Sequence, residues 1–280
     1  MNRRLDIYLT KKLKDFSRSL CQKFIRGAGV EINGSLIKKP NFLVREKDEV
    51  KFSIEKFREF IASLKPAVSD FKILKKNVIY DGKTFFVINK MPFIRSEEII
   101  NGFFSVHRLD KDTSGVLVIA KNIVTQARLQ KQWHDRIVKK TYVALIKGIL
   151  KPSKGAISAG ISRSAKNRRK MAVSSSNFSR QSFTEYETIK YFDNCSLLKV
   201  FPRTGRTHQI RVHFASIGYP VIGDKIYGDK QLNKKFERQF GLKRQFLHAS
   251  ELEIIHPSTK KRLVFRSPLA SDLKAVLKRF

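Results

Sequence analysis

A carboxylate lies in a short segment directly before an apolar run. In HRLDKDTSG, residues 107–115, Asp110 follows Arg108 by two positions, and GVLVIAK, residues 115–121, comes next. A continuous apolar run of this length predicts a buried strand, which would hold the preceding turn rigidly. A carboxylate held near a cation stays ionised and is able to act as a nucleophile. On the residues alone, the commoner role of Asp110 is structural, as a turn cap or as the ion-pair partner of Arg108.

The histidines and cysteines are not spaced as metal ligands. No HExxH motif and no Cys/His cluster surrounds the histidines, and Cys21 and Cys195 lack CxxC spacing. The phosphate-binding pattern GxxxxGK[ST] and the deaminase pattern HxE…PCxxC are also absent. We therefore expect no metal site. The histidines considered are His107, His208, His213, His248 and His256.

The charge of the chain is strongly positive. It has 58 Lys and Arg residues against 24 Asp and Glu residues, a net charge of +34. Such an excess predicts a polyanionic partner, because neutralised phosphates release condensed counterions. Nucleic acid is the first expectation, a membrane surface is the rival, and a general preference for lysine is the alternative without a function. The cations are spread along the chain, which favours a folded protein with a basic face over a basic tail.

The cellular compartment of the protein is predicted from patterns that the sequence lacks. Two distant cysteines argue against a disulfide framework and fit a reducing cytosol. The N-terminal residues MNRRLDIYLTKKLK lack the apolar centre of a signal peptide. There is no run of 18 apolar residues, so no membrane-spanning helix is expected. We predict a cytoplasmic protein that does not enter a membrane.

Residues 1–54 are predicted to form a small separate unit, followed by a linker at 55–72. Leu5, Leu9 and Leu13 recur at a spacing of four residues and predict one apolar helix face. A second helix is expected before Gly27, and Asn33-Gly34 predicts a tight hairpin. The alternating segment DEVKFSI, residues 48–54, predicts a strand.

Residues 73–280 alternate between strand and helix patterns. This mixture predicts an α+β domain built around a mixed, mostly antiparallel sheet. A basic, serine-rich segment at 162–177 is expected to be a loop. The expected elements are a hairpin around Asp81-Gly82, strands at 115–121, 141–150 and 196–202, and helices at 123–136 and 206–218.

Four segments of this second unit resemble the RluA/RluD group of pseudouridine synthases. HRLDKDTSG resembles the signature HRLDxxTSG, with all seven fixed positions present. The other three follow in the family's order, and the resemblance covers about residues 73–280. They are KKTYVALIKG at 139–148, TGRTHQIRVHFASIGYPVIGDKIYG at 204–228, and FLHASELEIIHP at 246–257.

The resemblance implies a role for each matching residue. Asp110 is the nucleophile, Arg211 pairs with it, and Tyr142 stacks on a uracil that has flipped out of the RNA. Leu247 forms an apolar wall of the base pocket. Ordinary core packing is the alternative for both Tyr142 and Leu247.

Four further residues are expected to bind the substrate. Arg108 would fill the gap left in the RNA stack or grip a phosphate. Its alternative is a surface salt bridge of about 0–1 kcal/mol. We also assign His107, Lys140 and Arg206 to substrate binding.

The N-terminal unit resembles the RNA-binding domain first described in ribosomal protein S-four, which often precedes this catalytic domain. One departure from the family is at residues 89–98. The family has NKPxG after its second strand, whereas this chain reads NKMPFIRSEE, without the glycine and with a short loop. The departure bears on target choice and leaves the catalytic positions intact.

The resemblance implies an RNA pseudouridine synthase that isomerises uridines, most often in large-subunit (23S) ribosomal RNA. An isomerisation needs no cofactor, and the family implies a monomer. A transfer RNA substrate and a non-catalytic RNA-binding or ribosome-assembly protein are the alternatives. A non-catalytic protein would be expected to lose one of Asp110, Tyr142 and Arg211, and all three are present. A membrane-surface protein would need an amphipathic lysine-rich helix, which the scattered charges do not suggest.

Overall fold

The chain forms a small N-terminal unit that precedes a large sheet. The computed structural model describes residues 3–13, 16, 18–63, 77–99, 103–165, 167 and 170–280. The N-terminal elements are β1 Arg3–Arg4, α1 Leu5–Lys12, α2 Arg18–Gly27, β2 Val30–Ile32, β3 Ser35–Ile37, β4 Leu43–Val44, β5 Val50–Lys51 and α3 Ile54–Ser63. The predicted apolar face of the first helix is confirmed, because Leu5, Leu9 and Leu13 are all buried.

The predicted hairpin joins β2 and β3. Asn33 and Gly34 have φ angles of 49° and 77°. Positive φ at both central residues defines the tight turn that matches the twist of antiparallel strands. The register pairs Ile32 with Ser35 across this turn, so the prediction is confirmed.

The predicted strand at 48–54 is wrong at its C-terminal end. β5 covers only Val50–Lys51, and a helix begins at Ile54. The side-chain oxygen of Ser53 accepts a hydrogen bond from the backbone N–H of Lys56 at 3.1 Å. This bond satisfies a free N–H of the first helical turn, and it outweighs the alternating pattern.

Helix α3 packs on the N-terminal unit. Its Phe57 is fully buried and meets Phe24 of α2 edge to face, with ring centroids 4.8 Å apart. The predicted linker at 55–72 therefore begins with a packed helix, and this contact favours placing α3 with the first unit. Residues 64–72 of that linker lie outside the described residues, and the domain boundaries remain a prediction.

The large sheet contains 11 strands in the described part of the chain. Their order is β12-β11-β13-β14-β10-β15-β9-β7-β6, with β16 on β15 and β8 on β9. All pairs are antiparallel except β9 with β15, so the expected α+β class with a mostly antiparallel sheet is confirmed. The strands are β6 Val78–Asp81, β7 Phe85–Lys90, β8 Phe104–Ser105, β9 Ser114–Ala120, β10 Lys139–Lys147, β11 Lys154–Arg163, β12 Met171–Val173, β13 Arg180–Phe192, β14 Cys195–Pro202, β15 Leu247–Ile255 and β16 Arg262–Arg266.

The helices of this unit connect its strands along the sequence, and α8 follows the last strand. They are α4 Ser96–Ile99, α5 Ile123–His134, α6 Gln209–Ser216, α7 Lys230–Phe240 and α8 Ser271–Leu277. The predicted helix at 206–218 is shorter than expected, because residues 206–208 form the loop that leads into α6. No helix in the described ranges is long and apolar enough to cross a membrane.

The predicted loop at 162–177 is partly strand. β11 continues to Arg163, and β12 at Met171–Val173 pairs back on it, with Ile161 opposite Val173. Backbone pairing with a neighbouring strand overrides the serine-rich composition here. Residues 166, 168 and 169 of the segment lie outside the described residues.

The parallel contact of β9 with β15 depends on Gly115. Its φ angle is 119°, and a Cβ atom at this position would collide with the carbonyl oxygen of Ala249. Glycine is the residue that permits both the backbone angle and the close approach. It thereby brings the loop before β9 next to the start of β15, where Leu247 lies.

Candidate active site

One cavity of about 310 Å³ is lined by all of the predicted site residues. It lies between the loop before β9, the start of β15, strand β10 and the loop that leads into α6. Its volume is at the lower end of the range for small-molecule pockets. The predicted residues in its wall are His107, Arg108, Asp110, Lys140, Tyr142, Arg206, Arg211 and Leu247. Their individual roles remain predictions, which the geometry below supports.

The loop that carries Asp110 is clamped on both sides of the carboxylate. The hydroxyl of Ser96 accepts from the backbone N–H of Leu109 and donates to its carbonyl, both at 3.1 Å. After Asp110, the buried Arg244 donates to the carbonyl of Asp112 at 2.9 Å. Such clamping fixes the direction of a side chain before substrate binds.

Arg244 ties this loop to the last helix. It is fully buried, and its Nε and Nη2 atoms donate to the two carboxylate oxygens of Asp272 in α8 at 2.6 and 2.9 Å. Nη2 also donates to the hydroxyl of Ser114 at 3.0 Å. A bidentate ion pair of this kind has a fixed geometry. The C-terminal helix therefore helps to position the loop of Asp110.

Lys90 stabilises the same loop from the opposite side. It is fully buried, and its ammonium donates to the carbonyls of Met91, Ile94 and Lys111 at 2.9, 2.7 and 3.0 Å. Burial, and next the charge of Arg244, lower the pKa of Lys90 to about 8. The segment that departs from the family pattern is thus fastened to the loop of Asp110 by Lys90 as well as by Ser96.

Replacing Lys90 with methionine is expected to lower the free energy of unfolding by about 2–4 kcal/mol, since three carbonyls lose a shared, fully buried donor. Urea denaturation of the two proteins measures this. Lys111→Met removes an exposed ammonium two positions from Thr113 and should leave stability within about 0.5 kcal/mol of wild type. Equal stability of the two variants would refute the clamping role of Lys90.

Phe93 occupies the position of the missing family glycine. In NKMPF it is the fifth residue, and its φ angle is 69°. A side chain in this left-handed region costs roughly 1–2 kcal/mol. The loop thus keeps the backbone form that a glycine would adopt.

At Phe93, glycine should therefore be more stabilising than alanine by about 1 kcal/mol, because both substitutions remove the ring and only glycine accepts the positive φ. The pair Phe93→Gly and Phe93→Ala, compared by thermal unfolding, tests this. The same pair at Met91, which has no positive φ, should show the reverse order. Alanine proving the better residue at Phe93 would rule out the strain.

The central feature of the site is an arginine shared by two carboxylates. Arg211 in α6 is buried, and its Nη1 donates to Asp110 Oδ2 at 2.8 Å. Its Nε and Nη2 donate to the two oxygens of Asp224 at 2.6 and 2.9 Å. Asp224 also accepts the backbone N–H groups of Ile226 and Tyr227 at 2.8 and 3.1 Å. The guanidinium is therefore held on one edge by Asp224 and presents its other edge to Asp110.

The charges of this group are mutually stabilising. Burial disfavours the ionised form of Asp224, but the hydrogen bonds and charge of Arg211 and the two backbone donors outweigh it and lower its pKa. Burial likewise opposes the charge of Arg211, and the hydrogen bonds and charges of Asp224 and Asp110 more than offset it and raise its pKa. Asp110 therefore faces a permanent cation, the Arg211 guanidinium, at 2.8 Å.

His208 lies next to Asp110 and is hydrogen-bonded to Tyr227. His208 adopts a φ angle of 57° at the start of α6, and its Nδ1 lies 2.9 Å from the hydroxyl of Tyr227. Its Nε2 is 3.9 Å from Asp110 Oδ1. Burial is the main cause that lowers the pKa of His208, so the ring is neutral at physiological pH.

One wall of the cavity is apolar and aromatic. Tyr142 and Leu247 lie in neighbouring strands, β10 and β15, and Leu247 is only 4% exposed. Burial, and then the charge of Asp110, raise the pKa of Tyr142, so its hydroxyl stays protonated. Trp133 of α5 also lines the cavity and stacks on His107 with ring centroids 4.7 Å apart. This wall suits a flat, partly apolar ring such as a nucleobase.

His107 supports the wall as well as lining it. Its Nε2 accepts a hydrogen bond from the backbone N–H of Val118 at 3.0 Å, so Nδ1 carries the proton of the neutral ring. Burial, and next the charge of Lys140, lower the pKa of His107 to about 3. The imidazole is thus fixed and uncharged.

The opposite wall is a basic loop at residues 204–209. Gln209 is buried and accepts from the Thr204 hydroxyl and from the Arg206 backbone N–H at 2.7 and 3.0 Å. Lys140 donates to the carbonyl of Thr204 at 2.8 Å, and burial lowers its pKa to about 8. These hydrogen bonds hold the loop in place. Arg206 of the loop and Lys140 of β10 bring two cationic side chains to the cavity.

A second cavity, of about 210 Å³, lies on the far side of Asp110. Asp110 and Arg211 line both cavities, whereas Arg95 and Lys225 line only the second. Arg108 lines both and is exposed, with Nη1 3.3 Å from Glu97. The partner of Asp110 is consequently Arg211, and the pairing of Asp110 with Arg108 that the residues alone suggested is not present.

Several residues of the site were not assigned from the sequence. Asp224 lies within the quoted segment 204–228, and a carboxylate in a GD pair offers a signal, but its bond to Arg211 depends on the fold. Arg244 lies outside all the quoted segments, Ser96 lies in the departing segment 89–98, and no local pattern marks either of them. The unassigned residues are Ser96, Trp133, His208, Gln209, Asp224, Tyr227 and Arg244.

Comparison with known families agrees with this geometry. Residues 89–216 match the family model of RNA pseudouridylate synthase, and residues 3–50 match that of the S4 domain. An RNA pseudouridine synthase of Aquifex aeolicus is 33% identical, covering 98% of this chain and 92% of that protein. The ribosomal large subunit pseudouridine synthase C of Haemophilus ducreyi is 30% identical over 98% of this chain and 91% of its own length.

Two solved human structures share the fold. RNA pseudouridylate synthase domain containing 4 superposes with a TM-score of 0.63 at 23% identity, over 74% of this chain and 94% of that one. RNA pseudouridylate synthase domain containing 1 gives a TM-score of 0.60 at 28% identity, over 72% and 86%. The likeness thus extends over most of both chains in sequence and in structure.

Proposed function

The chain belongs to the RNA pseudouridylate synthase family and is an RNA uridine-to-pseudouridine isomerase, and we propose that it acts on large-subunit ribosomal RNA with Asp110 as its nucleophile. Two relatives at about 30% identity over 91% of their lengths are named ribosomal large subunit pseudouridine synthase C. Their names support this choice of substrate. The observation that carries the proposal is the Arg211 bridge, which holds Asp110 in the wall of the base-sized cavity.

The reaction breaks one bond to the ribose and makes another. The bond from N1 of uracil to C1′ breaks, the ring rotates, and C5 bonds to C1′. C5 then loses its proton, and N1 gains one, so that no atom is lost overall. Cleavage of a glycosidic bond builds positive charge at the sugar, which a facing carboxylate stabilises or captures. Both routes require a carboxylate of Asp110 beside the ribose, and Arg211 holds that side chain at 2.8 Å.

The cavity walls are assigned to the uracil ring. The target base must leave its stack, at a cost of a few kcal/mol that pocket contacts recover. We assign the face of Tyr142 to stacking on the flipped ring and Leu247 to the apolar edge. Rotation of the ring between two bonds requires a wall without strong directional bonds, and aromatic and aliphatic side chains supply one.

Three further residues are proposed to bind the polar parts of the nucleotide. Lys140 and Arg206 are cations in the wall of the cavity, and Arg108 is exposed at its edge. Cations at these places suit phosphates. His107 is neutral and half-buried, and it accepts a hydrogen bond from Val118, so we assign it to positioning the wall.

The N-terminal unit is proposed to bind RNA away from the site. It matches the S4 domain, and its helices α1 and α2 expose Lys11, Lys12, Lys23 and Arg26. Contacts of this kind add affinity that depends on salt and not on base sequence. We further propose that the protein works as a monomer in the cytoplasm, since one chain supplies every residue described at the site.

Pseudouridine mapping in cells tests the choice of substrate. RNA from cells that lack the gene should miss pseudouridine at one or a few positions of large-subunit ribosomal RNA. Wild-type protein should restore these positions, and Asp110→Asn should not. Loss confined to transfer RNA would overturn the substrate proposal while leaving the activity, and no loss in any RNA would contradict the proposal altogether.

A further inference from the structure

Three arginines come from separate elements near the cavity, and one of them, Arg206, lines it. Arg136 follows helix α5, Arg180 is the first residue of β13, and Arg206 lies in the loop before α6. In the part of the chain that the structure describes, none of the three side chains forms an ion pair with a carboxylate. Arg211 and Arg108 differ from these three, since both have acidic partners.

Hydrogen bonds join two of these elements, and the third contributes to the same cavity wall. Trp133, three residues before Arg136, lines the cavity. The carbonyl of Phe183, three residues after Arg180, accepts from the backbone N–H of Arg203 at 2.9 Å and from Gln209 at 3.0 Å. The start of β13 therefore lies against the loop that carries Arg206.

The Arg206 guanidinium is incompletely satisfied. Its Nε atom is buried and has no hydrogen-bond partner among the described residues, although a buried N–H normally has one. Burial, and next the charges of Arg180 and Arg136, lower the pKa of Arg206. Three like charges without a counter-ion repel one another, so an anion bound between them would relieve the repulsion.

We propose that Arg136, Arg180 and Arg206 form a subsite for a backbone phosphate of the RNA strand next to the target uridine. Guanidinium groups suit phosphate oxygens because their paired N–H donors match them. Phe178, two residues before Arg180, is 92% exposed. An exposed aromatic ring beside cations is typical of surfaces that stack nucleobases, which favours an RNA phosphate over a free phosphate ion.

This inference rests on the proposed function, and a charge-matched pair of variants tests it separately. Arg136→Gln with Arg180→Gln removes two positive charges from the subsite. Lys234→Gln with Arg238→Gln removes two from the exposed face of α7, away from the cavity. The probe is an unmodified transcript of large-subunit ribosomal RNA. Affinity is measured over a range of salt concentrations, together with KM, kcat and the melting temperature.

The subsite variant should weaken binding about tenfold and reduce the slope of log affinity against log salt by about 0.7 to 0.9, as for one lost phosphate contact. KM should rise with kcat within about twofold, since the arginines bind ground and transition states alike. The matched α7 variant should leave affinity, salt slope, KM and kcat at their wild-type values. Both variants should have the melting temperature of the wild-type protein.

Two results would overturn the subsite. One is a salt slope that falls equally in both variants. The other is an unchanged slope with altered inhibition by inorganic phosphate, which would indicate a site for free anions. Should wild-type protein bind the transcript and form no pseudouridine, the proposed substrate is wrong, and the salt slopes still decide whether the three arginines bind phosphate.

Discussion

The Asp110→Asn protein should bind RNA almost as wild type does and form pseudouridine at least about a thousandfold more slowly. Asparagine has nearly the shape of aspartate and keeps an oxygen that can accept a hydrogen bond from Arg211. In the wild-type protein Arg211 Nη1 lies 2.8 Å from Asp110 Oδ2. The loop therefore stays in place. The substitution removes the negative charge that faces the ribose, and with it the nucleophile.

Single-turnover assays and filter binding on the same transcript measure the two quantities. Asp112→Asn is the matched control, because it removes a carboxylate two residues away that does not line the cavity of Tyr142 and Leu247. This control should keep its rate within about threefold of wild type, as expected for a group without a role in the transition state. Equal losses in the two variants would indicate a general effect of loop charge and would contradict the nucleophilic role of Asp110.

Exchange of Arg211 for lysine should cause the second large loss. Lysine keeps the positive charge but lacks the planar fork that contacts Asp110 and Asp224 at once. We expect kcat to fall by about a hundredfold, as when a preorganised donor is lost. The free energy of unfolding should fall by about 2–4 kcal/mol, since a buried carboxylate loses its bidentate partner.

Arg203→Lys is the control for this exchange. Arg203 is exposed, and its Nε lies 2.8 Å from Glu185 at the surface. Such pairs contribute little, so kcat and stability should stay near wild type. Wild-type kcat in Arg211→Lys would show that charge alone suffices and that the shared fork has no catalytic importance.

The same exchange should alter the response to acid. The folded protein lowers the pKa of Asp224 below its ordinary value of 3.8. A carboxyl with a depressed folded pKa stabilises the protein above its unfolded pKa, and this stability is lost as the pH falls through the folded value. A weaker partner depresses the pKa less, so acid unfolding of Arg211→Lys should begin at higher pH than in wild type.

The sequence identified the residues of the cavity better than the bonds between them. Asp110, Tyr142 and Arg211 lie in segments whose local pattern is distinctive, so a resemblance of the segments carried the residues with it. Asp224 is different, because its importance arises from contact with Arg211 across a turn. The role of Arg244 is still harder to predict from the sequence, since its partners Asp112 and Asp272 are distant in the chain.

Local signals decided most of the secondary structure and explain the errors. Asn33-Gly34 marks a hairpin because few residue pairs accept two positive φ angles. The segment 48–54 alternates like a strand, but the cap at Ser53 begins a helix. The polar stretch near β12 lacks a strand pattern, and its pairing with β11 comes from tertiary context, which overrides propensity.

The most direct test incubates purified protein with an unmodified transcript of large-subunit ribosomal RNA and maps pseudouridine at single-nucleotide resolution. The account predicts pseudouridine at one or a few discrete uridines with wild-type protein and none with Asp110→Asn. Tight binding of the transcript by both proteins, with no pseudouridine in this RNA or in transfer RNA, would contradict it and would leave a protein that binds RNA without modifying it.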